Sequence, residues 1–315
     1  MSTAANTAEL ERNKAVALRF KKSQGTKEMP QVEKEVLAPN YNRIRGGNFH
    51  LAANARDQDW PHPGMYLRTA FPDRVDVIEH VVAEGDTVGL LFRLNATHQG
   101  NLFGIPPTGR KIDVYELALL RIVNGQMVEG WFMMDEAELL RQLGARMPVR
   151  SDRRIIAPPV PELGESGDAI VKRLSAQQPL PQHDGHKVIL ARSRTSAPSP
   201  ADRAPDFVRK REAFQHMHDY GVSRGLGGQT LRSALAERRD PIDRFVADGE
   251  EAWMRFYLHG AHEGMLYGLP PTGKRVGVPA VDVSRFAGGK WKESWCFGDE
   301  LGLLLQLGVP NLLLE

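Results

Sequence analysis

One self-match constrains this chain more than any other feature. Residues 64–144 align with residues 228–308 at a constant shift of 164, without a gap, and 32 of the 81 positions are identical. The strongest stretch sets HQGNLFGIPPTGR, His98 to Arg110, against HEGMLYGLPPTGK, His262 to Lys274. A second block carries Arg121, Gly125, Glu129, Trp131, Asp135, Leu139, Leu140, Gln142, Leu143 and Gly144. It returns as Arg285, Gly289, Glu293, Trp295, Asp299, Leu303, Leu304, Gln306, Leu307 and Gly308. The period is far longer than the roughly 20–50 residues of a solenoid repeat, so the chain contains a duplicated domain. A length of 315 residues fits two domains of about 100–200 residues each.

Between the copies the composition shifts. Residues 149–204 are rich in Pro, Ser, Arg and Ala, as in APPVPELGES and ARSRTSAPSPADRAP, and read as a linker or irregular arm with one helical stretch over 168–176. The expected division is therefore 1–148, 149–204 and 205–315. A formal net charge of +2 gives no strong field of one sign, which argues against a nucleic-acid partner. The basic clusters 150–154 and 209–211 read as solvated faces or linker. Cys296 is the single cysteine, so no intrachain disulfide forms, and a reducing, cytoplasmic compartment is expected. The opening residues lack the apolar core of a signal peptide, and no apolar run of about 18 residues predicts a membrane span. No CxxC, HExxH, P-loop or GxGxxG occurs, so neither a metal nor a nucleotide cofactor is expected.

The local patterns give one layout for both copies. Residues 8–22 have helix-forming composition behind Thr7 as a possible N-cap. Residues 63–71 read as a short helix that stops before Pro72. Strands follow over 75–83, 87–98, 111–123 and 126–134, with Asn124-Gly125 as a type I′ hairpin signal and PPTG, 106–109, as a turn. A short helix starts at Asp135, with Gly144 as its C-cap. Helices followed by long antiparallel strands predict an α+β fold, with helices covering one face of a curved sheet. The second copy repeats the strands, with Gly288-Gly289 at the hairpin. Its start differs: residues 207–220 look helical, and the repeat is clear only from Gly64 and Gly228 onward.

As a set, AFPDRVDVIEHVVAEGDTV, HQGNLFGIPPTGR and GQMVEGWFMMDEAELLRQLG resemble a SnoaL-like domain of the nuclear-transport-factor-two-like superfamily. The resemblance spans nearly all of residues 8–145, covers 228–308 well, and covers 205–227 weakly. It implies two cone-shaped α+β barrels and an intramolecular aldol cyclisation or related isomerisation. That chemistry runs on a hydrophobic carbonyl-bearing small molecule by acid–base catalysis, without metal or cofactor. It also implies pairing of sheets, supplied here within one chain as a pseudo-dimer or between chains as a homodimer. By the W-x3-D pattern, the family's acid/base residue falls on Asp135 and Asp299. Many relatives carry a His before that Trp, where this chain has Gly130 and Ser294. Many also carry an acid three residues before the strand Arg, kept as Asp282 and replaced by Ala118 in the first copy.

Each candidate has a plain structural alternative. A buried carboxylate in an apolar pocket has the raised pKa that proton abstraction next to a carbonyl needs, which favours Asp135 and Asp299. Asp135-Glu-Ala-Glu138 equally fits a capping box. His98 and His262 can shuttle a proton or support an oxyanion, or can close a strand end. Asp282 with Arg121 and Arg285 can hold a site together or pair on the outer face. Trp131 and Trp295 can line a pocket or fill the core. Two readings stand beside the enzyme: a small-molecule binder with two cone pockets and no turnover, and a structural pseudo-dimer.

Overall fold

The computed structural model describes residues 3–55, 63–158, 160–195 and 198–314. The chain folds as two compact units that divide after residue 158.

The first unit opens with α1 (Thr3–Lys22) and α2 (Met29–Val36), then β1 (Leu37–Arg45), α3 (Phe49–Asn54) and α4 (Pro63–Ala70). β2 (Val75–Glu84), β3 (Thr87–Thr97), β4 (Lys111–Val123), β5 (Gln126–Met134) and α5 (Glu136–Leu143) follow. The sheet order is β1-β5-β4-β3-β2, antiparallel except for β1, which runs parallel to β5. Alternation on the strands decides what faces the helices. Leu90 and Phe92, Ala118 and Leu120, and Phe132 pack with Ala17 and Phe20 of α1 and Val32 and Val36 of α2. Each such large side chain contributes about 1.5–3 kcal/mol when fully buried. The β4–β5 hairpin turns at Asn124 and Gly125, both at positive φ, 52° and 78°, as a type I′ turn requires.

The second unit repeats this plan. It comprises α6 (Gly167–Ser175), α7 (Gln182–Arg192), β6 (Arg203–Arg211), α8 (Gln215–Ser223), α9 (Leu231–Ala234) and β7 (Leu235–Arg239). β8 (Ile242–Asp248), β9 (Glu251–His262), β10 (Arg275–Ala287), β11 (Lys290–Gly298) and α10 (Glu300–Leu307) complete it. The sheet order is β6-β11-β10-β9-β7, with β8 also paired to β9, and β6 runs parallel to β11. Ile170 and Leu174 of α6 and Val188 and Leu190 of α7 pack on Met254, Phe256, Phe286 and Trp291. The expected α+β architecture, a curved sheet under helices occurring twice, is the one found.

Three expectations change. Residues 149–204 are not an irregular arm. They carry α6 and α7, which cover the concave face of the second sheet with the apolar stripe Ile170, Leu174, Val188 and Leu190; residues 159, 196 and 197 lie outside the described residues. Residues 207–220 are not one helix. The stretch through Arg211 is a strand, because β11 offers it a parallel partner, and tertiary pairing overrides local composition. The repeat also begins earlier than Gly64. LAPNYNRIR of β1 and RAPDFVRKR of β6 match at a shift of 166, and Arg43 and Arg209 face Gly130 and Ser294 in equivalent register. A two-residue difference in the loops that follow hides this from a gapless comparison. Among the described residues, no helix is long and apolar enough to cross a membrane.

Candidate small-molecule chamber

The concave face of each unit holds a cluster of buried charges. In the first, α1 ends with Lys21 turned into the cone, where its Nζ lies 3.1 Å from Asp76 Oδ2 and 3.7 Å from the centre of the Phe92 ring. Arg74 grips the same carboxylate through Nε at 2.7 Å and Nη2 at 3.0 Å. Glu116 closes the group, 3.5 Å from Arg74 and 4.0 Å from Lys21. Its carboxylate fits because residue 47 is glycine: a Cβ there would lie 2.1 Å from Glu116 Oε1. Burial pushes the Lys21 ammonium below its usual range, with Asp76 and then Glu116 pulling the other way. Burial also works against the charge of Asp76, but Lys21 and Arg74 together outweigh it and hold that carboxyl low. With Phe20, Phe71 and Phe132 around the cluster, about 70 Å³ of cavity remains.

The second cone has the same plan with different occupants. Arg194, just past the end of α7, places Nη2 2.7 Å from Asp282 Oδ2 and Nη1 3.6 Å from Asp240 Oδ2. Arg238 holds Asp240 with two bonds, at 2.9 and 2.8 Å, as Arg74 holds Asp76. Ser294 donates to the other Asp282 oxygen at 2.6 Å, and Arg209 Nη1 reaches the Ser294 hydroxyl at 3.4 Å. The Arg194 guanidinium lies 3.9 Å from the centre of the Phe256 ring. Burial, then Asp282, pushes the Cys296 thiol up to about 12, so it keeps its proton at neutral pH and is a poor nucleophile. In front of Arg194 opens a chamber of about 400 Å³ walled by Phe214, Phe256, Tyr267 and Trp291. That size is within the range of small-molecule sites. A further lobe of about 550 Å³ continues past Arg194 and Arg238 to the first turn of α6.

A profile of SnoaL-like polyketide cyclases matches residues 65–143 and 201–307, more than half of the chain. The chain belongs to the SnoaL-like polyketide cyclase family. The aklanonic acid methyl ester cyclase DauD of Streptomyces sp. (strain C5) is 33% identical over 95 residues, 30% of this chain and 59% of that protein. The nogalonic acid methyl ester cyclase of Streptomyces nogalater is 38% identical over 60 residues, 18% of this chain and 45% of that protein. The match therefore spans less than two thirds of either relative. Among solved structures, AclR from Streptomyces galilaeus is 27% identical with a TM-score of 0.36, over 43% of this chain and 97% of that one. IdmH from Streptomyces antibioticus is 23% identical with a TM-score of 0.35, over 42% and 99%.

In this SnoaL-like chain the residues marked by the W-x3-D pattern cap helices. Asp135 accepts from the Glu138 N–H at 3.1 Å at the start of α5, and Asp299 from the Gly302 N–H at 3.0 Å at the start of α10. Neither lines a described cavity. The next residue is equally structural. Glu136 accepts from the N–H groups of His50 and Leu51 at 3.1 and 2.9 Å, and Glu300 from those of Met217 and His216. Each buried carboxylate thus fastens the first turn of α3 or α8.

His98 and His262 lock the PPTG turns. Each Nδ1 accepts the N–H of the turn threonine, Thr108 at 3.2 Å and Thr272 at 3.3 Å. Burial holds both imidazoles below their usual pKa. Arg121 and Arg285 do not reach a chamber. They pair at the surface with Glu129 at 3.0 Å and Glu293 at 2.8 Å, because their strand positions face outward. Trp131 and Trp295 are directed to the opposite sheet face, one residue out of phase with the inward Phe132 and Cys296. Of the candidates, only Asp282 belongs to the inner cluster.

Sequence reasoning missed Lys21, Arg74, Asp76, Arg194, Arg209, Arg238 and Trp291. Arg74-x-Asp76 and Arg238-x-Asp240 are identities of the gapless alignment and carried a readable signal. Arg194 sits in a stretch whose composition suggested a linker, so only the fold brings it to Asp282.

Proposed function

We propose that the second unit is the working half, a chamber of cyclase type in which a carbonyl-bearing compound has a proton moved at the carbon next to its carbonyl. The first unit is its closed structural counterpart. One observation carries this: about 400 Å³ of aromatic-walled space opens onto Arg194 in the second cone, against about 70 Å³ in the first. Removing that proton leaves an enolate, whose oxygen needs hydrogen-bond donors in a site shielded from water. Arg194, held by Asp282 and Asp240 over Phe256, is a donor of that kind. Asp282 is the carboxylate of the centre. It lies behind Arg194, off the chamber wall, and its Oδ2 opens to take the proton when Arg194 swings to the substrate oxygen, so one side-chain movement supplies the base and the hydrogen-bond donor.

The test is deuterium uptake at the acidic C–H of an aryl β-keto ester in heavy water, followed by proton NMR. The full chain should accelerate uptake, and Asp282→Asn should reduce the acceleration by about 100-fold or more. A second reading, binding without turnover, draws on the fact that both Asp282 oxygens already have partners. Bound ester with no acceleration of uptake by the full chain would favour it.

A further inference from the structure

Five arginines line the main chamber: Arg194, Arg203, Arg209, Arg232 and Arg238. Three carboxylates answer them. Asp282 and Asp240 are engaged by Arg194 and Arg238, and Glu212 stands 3.8 Å from Arg209. Among the described residues, Arg203 and Arg232 have no carboxylate within ion-pair distance; Arg203 instead lies over the Phe207 and Trp291 rings at 4.8 and 5.8 Å. A second observation points the same way. The Arg194 Nε and the Trp291 Nε1 are buried and lack a hydrogen-bond partner, and both are donors on chamber-lining residues. Buried donors without acceptors are costly; both atoms are closed to solvent here, so a ligand acceptor satisfies them once a side chain of the chamber wall shifts. Positive charge focused in a cleft with apolar walls attracts an anion, and aromatic walls favour a flat ring.

We infer that this chamber selects a flat aromatic compound bearing an anionic group, a carboxylate or an ionised phenol. The inference rests on the reading of the second unit as the small-molecule site. Arg203 and Arg232 set the preference for the anion, while Phe256 and Trp291 hold the ring.

The experiment compares two probes of nearly equal shape, 2-naphthoate and 2-naphthamide, titrated into the full chain by calorimetry at low and high salt. Naphthoate is expected to bind at least about 10-fold more tightly at low salt, with the advantage shrinking at high salt. The Arg203→Gln/Arg232→Gln double variant should lose most of that advantage, and the Arg203→Lys/Arg232→Lys variant should keep it. Neither exchange strands a buried carboxylate, so an unchanged melting temperature serves as the fold control. Equal affinity for the two probes would overturn the anion preference and leave the chamber standing. Binding of neither would overturn the chamber as well. A naphthoate advantage that survives in the glutamine variant would place the anion elsewhere and also overturn the inference.

Discussion

The two cones share an ancestor in sequence and a plan in space, yet one is filled and the other open. Both hold an Arg-x-Asp pair, Arg74 with Asp76 and Arg238 with Asp240. Both receive a cation from the helices above, Lys21 in one and Arg194 in the other. The inner strand acid has moved by one inward step. The first unit has Glu116 with Ala118, and the second has Ala280 with Asp282. The glycine that admits Glu116, Gly47, is matched by Ala213, and Phe132 is matched by Cys296. In the first cone a long acid and a phenyl ring fill the space. In the second a short acid lies deeper, a thiol replaces the ring, and a chamber remains. Duplication thus lets one copy keep a filled, charge-neutral core while the other carries an opening bounded by arginines.

The largest expected break is Asp76→Ala. It takes the nearest partner from Lys21 and Arg74, both buried, and leaves them only Glu116, at 4.0 and 3.5 Å; removing one member of a buried ionic group costs about 3–5 kcal/mol. Asp240→Ala should cost clearly less, because Arg194 keeps Asp282 and Arg238 is partly exposed. Denaturant unfolding of the two variants checks the order; equal losses would mean that the clusters are equally enclosed. Next come Glu136→Ala and Glu300→Ala, which leave buried N–H groups at α3 and α8 unsatisfied, each expected to cost about 1–3 kcal/mol. Similar losses in both units would confirm a shared fastening. Asp135→Ala and Asp299→Ala should cost about 1 kcal/mol as lost caps, with chamber binding unchanged. A loss of binding without a change in stability would return these residues to the chemistry.

The smallest effect is on pH. Burial holds His98 in the first unit, and His186, His259 and His262 in the second, below the ordinary imidazole pKa. The unfolded chain then takes up these protons first as pH falls. Their stabilisation is full above about pH 6.5 and is lost as pH drops through that value toward the lower folded pKa. His186, stacked on Phe286 at 4.1 Å between centroids, offers the cleanest probe. His186→Phe should flatten the decline in melting temperature between neutral and mildly acidic pH.

The sequence made the late strands legible because their signals are local. The hairpin at Asn124-Gly125 and the strand 111–123 depend on turn chemistry and period-two alternation, and both stand as expected. β1 and β6 were not legible, because each is held mainly by a parallel partner some 85 residues away. Among site candidates, what repeated most faithfully served structure: Asp135, Asp299, His98 and His262 recur because a cap and a turn lock are needed in both copies. The working differences lie where the copies diverge, at 116, 118, 130 and 132 against 280, 282, 294 and 296. Recurrence at the caps and turns marks the scaffold; on the inner face the Arg-x-Asp pair recurs as well, and the divergence around it separates the open cone from the filled one.

The central claim, one open cone per chain, is tested most directly by the stoichiometry of an aromatic carbonyl ligand on the full chain and on Cys296→Phe, which places the first unit's phenyl ring in the second. The account predicts one equivalent bound per chain and loss of that binding in Cys296→Phe, with the fold retained. Two equivalents per chain, or undiminished binding in Cys296→Phe, would contradict it.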